Sequence, residues 1–332
     1  MLGAAPRDIV FTSGGTESMD LAVRGTLGAK RSANTPALVT SRVEHACVRD
    51  LTEDLEKTGR ARVRWASLLG GGIVDPVSVV ALIDADTAAV CVQWANNETG
   101  AVQPLGPIGE ACRAANVPFV VDGVQWAGKM PTCVDDASFD ALAVSAHKLH
   151  GPKGVGALWV RRGTKIKPSI HGAQELGRRG GTENVPGIVG FGVAADEAVA
   201  WLSDSSRREA QGTLRDRFER RILGALPDAS VNAPADPALR LWNTTNIAFP
   251  RLEAEAILVL LSERGVCASA GAACSSGSLD PSPVLLAMGV PEAQAHGSVR
   301  FSIDRHTTAD EVDRAADIVI ACVRTLGASM TK

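Results

Sequence analysis

The sequence predicts an α/β protein: a large N-terminal domain built on a mostly parallel seven-stranded sheet, followed by a smaller α+β domain. Three observations predict it. In the first half, short runs rich in Val, Ile and Ala alternate with helical stretches, the pattern of crossover units. Several of these runs are apolar on consecutive residues, as expected of strands covered by helices on both faces. From about Ser203 onward the pattern changes to long charged helices with few strands between them. The 332 residues are enough for two such units, read here as residues 1–202 and 203–332.

In chain order, the expected strands are Asp8–Thr12, Ala37–Thr40, Arg62–Ala66, Ala88–Trp94, Pro118–Val121, Ala141–Val144 and Gly156–Val160. Helical stretches fall between them near Thr16–Leu27, Ala46–Lys57, Pro76–Ile83 and Ile108–Ala115. A Gly/Arg-rich segment, Leu176 to Thr182, precedes an apolar-periodic stretch from Pro186 to Trp201 that leads to the second domain. There the helices are Arg207–Leu226, Glu253–Arg264 and Ala309–Leu326.

Composition narrows the function. With 45% hydrophobic and 21% charged residues, the chain is neither disordered nor fibrous. A formal net charge of -3 gives no general attraction to nucleic acid or to an anionic membrane. The seven cysteines are scattered, with no C-x-x-C spacing for zinc or redox chemistry, so most are expected to be buried reduced thiols. No apolar run approaches the roughly 18 residues of a membrane span, and no basic-then-apolar leader opens the chain. A cytoplasmic location is expected.

Three clusters carry chemistry. Ser145-Ala146-His147-Lys148 follows the strand Ala141–Val144 and so sits at a carboxyl edge, where open α/β sheets bind ligands. Read alone, it is more readily a solvated loop with an incidental lysine. Upstream, Asp122 ends a buried strand, where a carboxylate is costly unless it meets a cation. A protonated pyridine nitrogen is such a cation. An acidic partner together with a Schiff-base lysine is how proteins hold pyridoxal 5′-phosphate (PLP) and keep it an electron sink. The third cluster, Phe11 to Glu17, is a strand, a glycine turn and a helix start, whose N–H groups and Thr16 hydroxyl suit a phosphate. By itself it is also an ordinary N-capped helix.

Eight motifs in register then carry a family resemblance: SGGTE (13–17), EH (44–45), NNETG (96–100), VDGVQ (121–125), SAHKLHGPKGVG (145–156), RRGGTENV (178–185), SAGAACSSGSLDPS (269–282) and SVRFSIDRHTT (298–308). The chain resembles the cysteine desulfurases of the aminotransferase class V group, PLP enzymes of fold type I. The small-residue run around Cys274 is similar to the NifS/IscS-like branch. The resemblance implies that Lys148 is the Schiff-base lysine, Asp122 the partner of the pyridine nitrogen, Gln125 the donor to the ring hydroxyl and His45 the residue stacked on the ring. It implies phosphate contacts from Gly15, Thr16, Ser145 and His147, completed by Thr182 of the other subunit of a homodimer. Arg300 would take the substrate carboxylate, with Asn97 hydrogen-bonding substrate and ring.

Cys274 would take sulfur from free L-cysteine as a persulfide, with His45 a candidate acid/base, and pass it to an acceptor protein whose identity the sequence does not contain. Iron-sulfur assembly, tRNA thiolation and DNA phosphorothioation are the pathways the resemblance offers. A related PLP lyase or aminotransferase, such as a selenocysteine lyase or a serine-glyoxylate type, is the alternative enzyme, and Cys274 argues against it. A non-catalytic platform of the same fold is the alternative of another class. It draws support from two family segments not found in these residues, a leading one with a D-Y-x-A-T-T-P-like motif and a scaffold-docking C-terminal extension. The leading one is expected to complete the site.

Overall fold

The computed structural model describes residues 1–31, 34–135, 137–271 and 280–330. They divide into two compact units. The first comprises Met1–Leu69, Val74–Ala95 and Gln103–Ser203; the second comprises Gly70–Ile73, Asn96–Val102 and Asp204–Lys332. The second unit thus claims two short excursions that the sequence places inside its N-terminal domain. Backbone hydrogen bonds hold the longer one there: Val102 N–H donates to Leu239 O, and Leu241 N–H to Gly100 O, at 2.8 Å each.

The first unit is built on seven strands: β1 (Ile9–Thr12), β2 (Ala37–Ser41), β3 (Arg62–Ala66), β4 (Thr87–Gln93), β5 (Phe119–Asp122), β6 (Ala141–Ser145) and β7 (Gly156–Val160), in spatial order β1-β7-β6-β5-β4-β2-β3. Every residue of β2, β4, β5, β6 and β7 is buried, which is why these segments read as unbroken apolar runs. The β3-β2-β4-β5-β6 pairings are parallel, whereas β7 runs antiparallel to both β6 and β1. Parallel pairing requires long crossovers, and helices α1 (Gly15–Ala29), α2 (Ala46–Lys57), α3 (Pro76–Leu82) and α4 (Leu105–Ala114) lie between the strands in sequence. Met19, Leu21, Val23, Val48, Leu51 and Leu55 on α1 and α2 pack with Val10, Leu38, Val120 and Leu158 of the sheet.

One consequence of this topology places the site. The carboxyl ends of β1, β2, β4, β5 and β6 emerge at the same sheet edge, and antiparallel β7 begins there. Ser145 pairs with Gly156, which pairs with Thr12. Gln93 pairs with Asp122, and Asp122 with Ala143. Segments far apart in sequence therefore meet where open α/β sheets bind ligands.

Helix α5 (Val185–Leu202) corrects an expectation from the sequence. By length and composition alone its 18 residues are long and apolar enough to cross a membrane. Its buried residues Gly187, Phe191, Ala194, Ala198 and Trp201 recur at helical spacing, so it lays one face on its own unit, and Asn184 caps its start by accepting from Gly187 N–H. Val185, Val189 and Val193, each over half exposed, form a stripe on another face.

The second unit is an α+β layer. Strands β8 (Ser230–Val231), β9 (Thr244–Ala248), β10 (Ser269–Ala270) and β11 (Ser298–Ser302) form an antiparallel sheet in the order β8-β9-β11-β10. Helices α6 (Ser205–Ala225), α7 (Ala254–Glu263) and α8 (Ala309–Met330) share a core with it through Phe218, Ile222, Ile257, Leu261, Val312 and Val319.

Candidate active site

In the first unit the edge carries three ionisable groups within electrostatic reach of one another: Asp122, His45 and Lys148. Asp122 ends β5 and is buried. Its one side-chain hydrogen bond among the described residues comes from Val124 N–H at 3.0 Å. Burial pushes its pKa up, while the Val124 N–H and the charges on His45 and Lys148 oppose that rise. A carboxylate so placed is relieved by an incoming cation.

His45 caps helix α2. Its Nδ1 accepts from Cys47 N–H at 3.1 Å, which leaves the ring proton on Nε2. Burial holds its pKa below the ordinary value, so the ring is neutral near pH 7. Lys148 lies in the single 3-10 turn Ala146–Leu149 that follows β6. Gln125 accepts from Lys129 Nζ through Oε1 at 2.5 Å, which fixes its amide so that Nε2 is the donor end.

The phosphate-type contacts gather around the start of α1. Backbone packs closely there: a Cβ on Gly15 would stand 2.5 Å from Val124 Cγ2, and one on Gly156 would stand 2.7 Å from Gly14 Cα. Ser145 Oγ and His147 Nδ1 lie 2.9 Å apart. Burial and the charges of Lys148 and Lys153 hold the His147 pKa down. Glu17, in the first turn of α1, would repel an anion at the helix N-terminus. It is instead paired with Arg179, whose Nε and Nη2 donate to Glu17 Oε1 and Oε2 at 2.6 and 3.2 Å. Thr182 is exposed and lines a cavity of about 120 Å³ with Ser13, Gly154, Arg179 and Asn184 of its own chain.

Within the second unit, Arg300 on β11 donates from Nη1 to Asn97 O at 3.0 Å. Asn97 Oδ1 is buried with no hydrogen-bond partner among the described residues, which leaves an acceptor available to a ligand. Cys274 lies outside the described residues.

The six described thiols refine the expectation that most are buried. Cys91, Cys112 and Cys322 are buried and Cys47 is half-buried, but Cys133 and Cys267 are exposed. Burial raises the pKa of Cys47, Cys91 and Cys322 and pushes Cys112 up to about 12, which makes these four poor nucleophiles.

Sequence reasoning used Glu44 only as half of the EH motif. In the structure it is completely buried between the ends of β2 and β4. Ser41 Oγ donates to Oε1 at 2.6 Å and Gln93 N–H donates to Oε2 at 2.7 Å. Burial, reinforced by the Asp122 charge, lifts its pKa from 4.5 to about 8. The folded protein therefore binds a proton here that the unfolded chain releases above pH 4.5, and stability falls as pH rises from there toward 8. The slope for one such proton approaches about 1.4 kcal/mol per pH unit. Glu44→Gln, whose amide can donate to Ser41 Oγ while its oxygen accepts from Gln93 N–H, is expected to remove that slope. Urea unfolding of both proteins at pH 6 and pH 8 checks it, and equal pH dependence in the two would refute it.

The donor set fits PLP: a buried carboxylate for a ring cation, a lysine for an aldehyde, and a glycine turn with hydroxyls for a phosphate. Comparisons with known proteins agree. The aminotransferase class-V family profile matches residues 1–315. Cysteine desulfurase 2 of Trichormus variabilis is 44% identical over 329 residues, covering 99% of this chain and 81% of that protein. The cysteine desulfurase NifS of Azotobacter vinelandii is 43% identical over 316 residues, covering 95% and 77%. Among solved structures, a NifS-like protein superposes with a TM-score of 0.88 at 32% identity, covering 98% of this chain and 85% of that one. One described as SspA in complex with cysteine superposes with a TM-score of 0.77 at 34% identity, covering 92% and 84%. Identity at this level, sustained through both units and joined to a sheet edge with a lysine, a buried aspartate and a glycine turn, means that the chain belongs to the cysteine desulfurase family of class-V aminotransferases.

Proposed function

We propose that this protein is a PLP-dependent cysteine desulfurase that converts L-cysteine to L-alanine and holds the sulfur as a persulfide on Cys274. The observation that carries the reading is the grouping of buried Asp122, neutral His45 and Lys148 at one sheet edge. Gly15, Thr16, Ser145 and His147 would hold the cofactor phosphate, with Thr182 from a second subunit, and Gln125 Nε2 would donate to the ring hydroxyl. Bound there, PLP supplies an electron sink that acidifies the Cα proton of an attached amino acid.

Asp122 would keep the ring nitrogen of bound PLP protonated, because a buried carboxylate gains most when it meets a cation. Arg300 presents a planar fork to the substrate carboxylate, and Asn97 Oδ1 takes a donor from the substrate. Lys148 Nζ would accept the Cα proton and return a proton to Cα once the C–S bond has broken. Cys274, as thiolate, attacks the substrate sulfur. An S–S bond forms and the C–S bond breaks with its electron pair left on carbon, which takes up a proton to become the methyl of alanine. His45 Nε2 is the exchangeable group placed to move these protons. The persulfide then passes to a thiol of an acceptor protein, in iron-sulfur assembly, tRNA thiolation or DNA phosphorothioation.

The second subunit has support in the exposed Val185, Val189 and Val193 stripe, which begins three residues after Thr182 and suits the same stripe of another copy. A reducing cytoplasm suits six described thiols that are all unpaired by disulfides.

Alanine release from L-cysteine by the purified protein loaded with PLP tests the function directly, and no release would refute it. Asp122→Asn tests the carrying observation. The variant is expected to retain some PLP but to lose at least about a hundredfold in turnover, since an uncharged partner does not hold the ring nitrogen protonated. Near-normal alanine release from it would refute the role.

A further inference from the structure

Glu98 has no part in the chemistry above, yet it is a carboxylate only 4% exposed. Such a group persists in an interior only where donors meet it. Its Oε2 accepts from Ser282 Oγ at 2.5 Å, across 184 residues of sequence. Ser282 is itself buried, and its hydroxyl also accepts from Leu285 N–H at 3.3 Å, capping the short helix Pro283–Ala287.

The same carboxylate lies against Gly271. A methyl group there would collide with Glu98 Oε2 and stand 3.2 Å from Ser282 Cβ. Gly271 directly follows β10, whose Ser269 pairs with Arg300 and Ala270 with Val299. The backbone of Glu98 is fixed in turn. Its N–H and that of Thr99 both donate to Asn96 Oδ1 at 2.8 Å, and its carbonyl accepts from Asn246 Nδ2 at 3.4 Å. The preceding carbonyl, Asn97 O, receives Arg300.

One side chain therefore bonds to Ser282 and packs against Gly271, and the stretch of sequence between these two residues carries Cys274. We infer that Glu98 is the positioning residue for Cys274: it bonds one end of that stretch, at Ser282, and packs closely against the other, at Gly271, from the peptide that bears Asn97 and receives Arg300. A nucleophile's rate depends on where its segment is anchored, and an ångström of misplacement costs up to about a hundredfold. The inference rests on the reading of Cys274 as the sulfur acceptor.

The test compares two substrates of the PLP-loaded enzyme. L-cysteine needs an attacking thiolate. L-cysteine sulfinate does not, because its C–S bond can break with the electron pair left on carbon while sulfur departs as sulfur dioxide, hydrated to sulfite. Ser282→Ala, Glu98→Gln and Gly271→Ala are each expected to slow alanine formation from L-cysteine between about ten- and a hundredfold. Each should leave turnover of the sulfinate within about twofold and PLP absorption unchanged. Because Glu98 and Ser282 act through one hydrogen bond, the double variant should be no slower than the worse single one. Ser282→Ala leaves the Asn97–Glu98 peptide intact, and so guards against a Glu98 variant that misfolds.

Unchanged L-cysteine turnover in Ser282→Ala and Gly271→Ala would overturn the positioning role, as would an equal loss on both substrates. Turnover of L-cysteine that survives in Cys274→Ser would overturn it by a different route, by removing the nucleophile on which it rests.

Discussion

Lys148→Ala is expected to abolish the visible absorption of protein-bound PLP and to lower alanine release from L-cysteine by at least about ten-thousandfold. Two separate tasks fail together in this variant. The first is attachment: Lys148 is the amine within electrostatic reach of Asp122 just past the end of β6, in a turn whose following residue, His150, adopts the left-handed conformation at φ 69°. The second is proton transfer, for which a positioned base contributes about a hundred- to ten-thousandfold on its own. Fold and stability should be little changed, since Lys148 is half-buried and sits in a short 3-10 turn rather than in the sheet. An unchanged visible spectrum in Lys148→Ala would refute the cofactor assignment. A lost spectrum with retained turnover would leave the lysine as an anchor without a catalytic role.

Cys274→Ser is expected to give the other near-total loss, by a mechanism that leaves the first unit untouched. A serine hydroxyl is a far weaker nucleophile than a thiolate, so sulfur is not taken from the substrate, while Asp122, His45, Lys148 and the glycine turn remain as they are. The variant should show wild-type PLP absorption, respond spectrally to L-cysteine and form alanine at least about a thousandfold more slowly. In the wild type, one equivalent of labelled L-cysteine should leave reducible sulfur on the Cys274 peptide. The described thiols supply the contrast: Cys47, Cys91, Cys112 and Cys322 are held above their ordinary pKa by burial. Exposed Cys133 and Cys267 are the two that a stray label would reach first. Label recovered mainly on Cys267, or full activity in Cys274→Ser, would move the nucleophile elsewhere.

Sequence alone determined the first unit's strands to within a residue or two. Arg62–Ala66 and Gly156–Val160 match residue for residue; the second is buried on both faces and so reads as an unbroken apolar run, whereas the first is exposed or half-buried as far as Trp65 and alternates Arg62 and Arg64 with Val63 and Trp65. It also determined that Asp122 and Lys148 stand at strand ends, since each directly follows such a run or lies within a turn of it, and it determined the family, since eight motifs in order are not matched by chance. What it misjudged were local properties that depend on surroundings. Composition marked most of the cysteines as buried but could not say that Cys133 and Cys267 would be exposed, and Pro186–Trp201 read as apolar-periodic yet not as long and apolar enough to cross a membrane, because the glycines and alanines of α5 dilute the signal of its valines.

Only the tertiary structure decided which groups meet. The parallel register of β2, β4, β5 and β6 brings Ser41, Gln93, Asp122 and Ser145 to one edge, and that register lies in pairings between residues dozens of positions apart. Glu44 and Glu98 read in the sequence as ordinary acidic residues inside motifs. Glu44 becomes a carboxyl proton-loaded near neutral pH because folding removes its water and sets Asp122 nearby, and Glu98 becomes an anchor because Ser282 arrives from 184 residues away. Periodicity and propensity are local quantities, whereas the free energy of a buried charge is set by whichever distant donors the fold delivers to it, so the first could be read from the chain and the second could not.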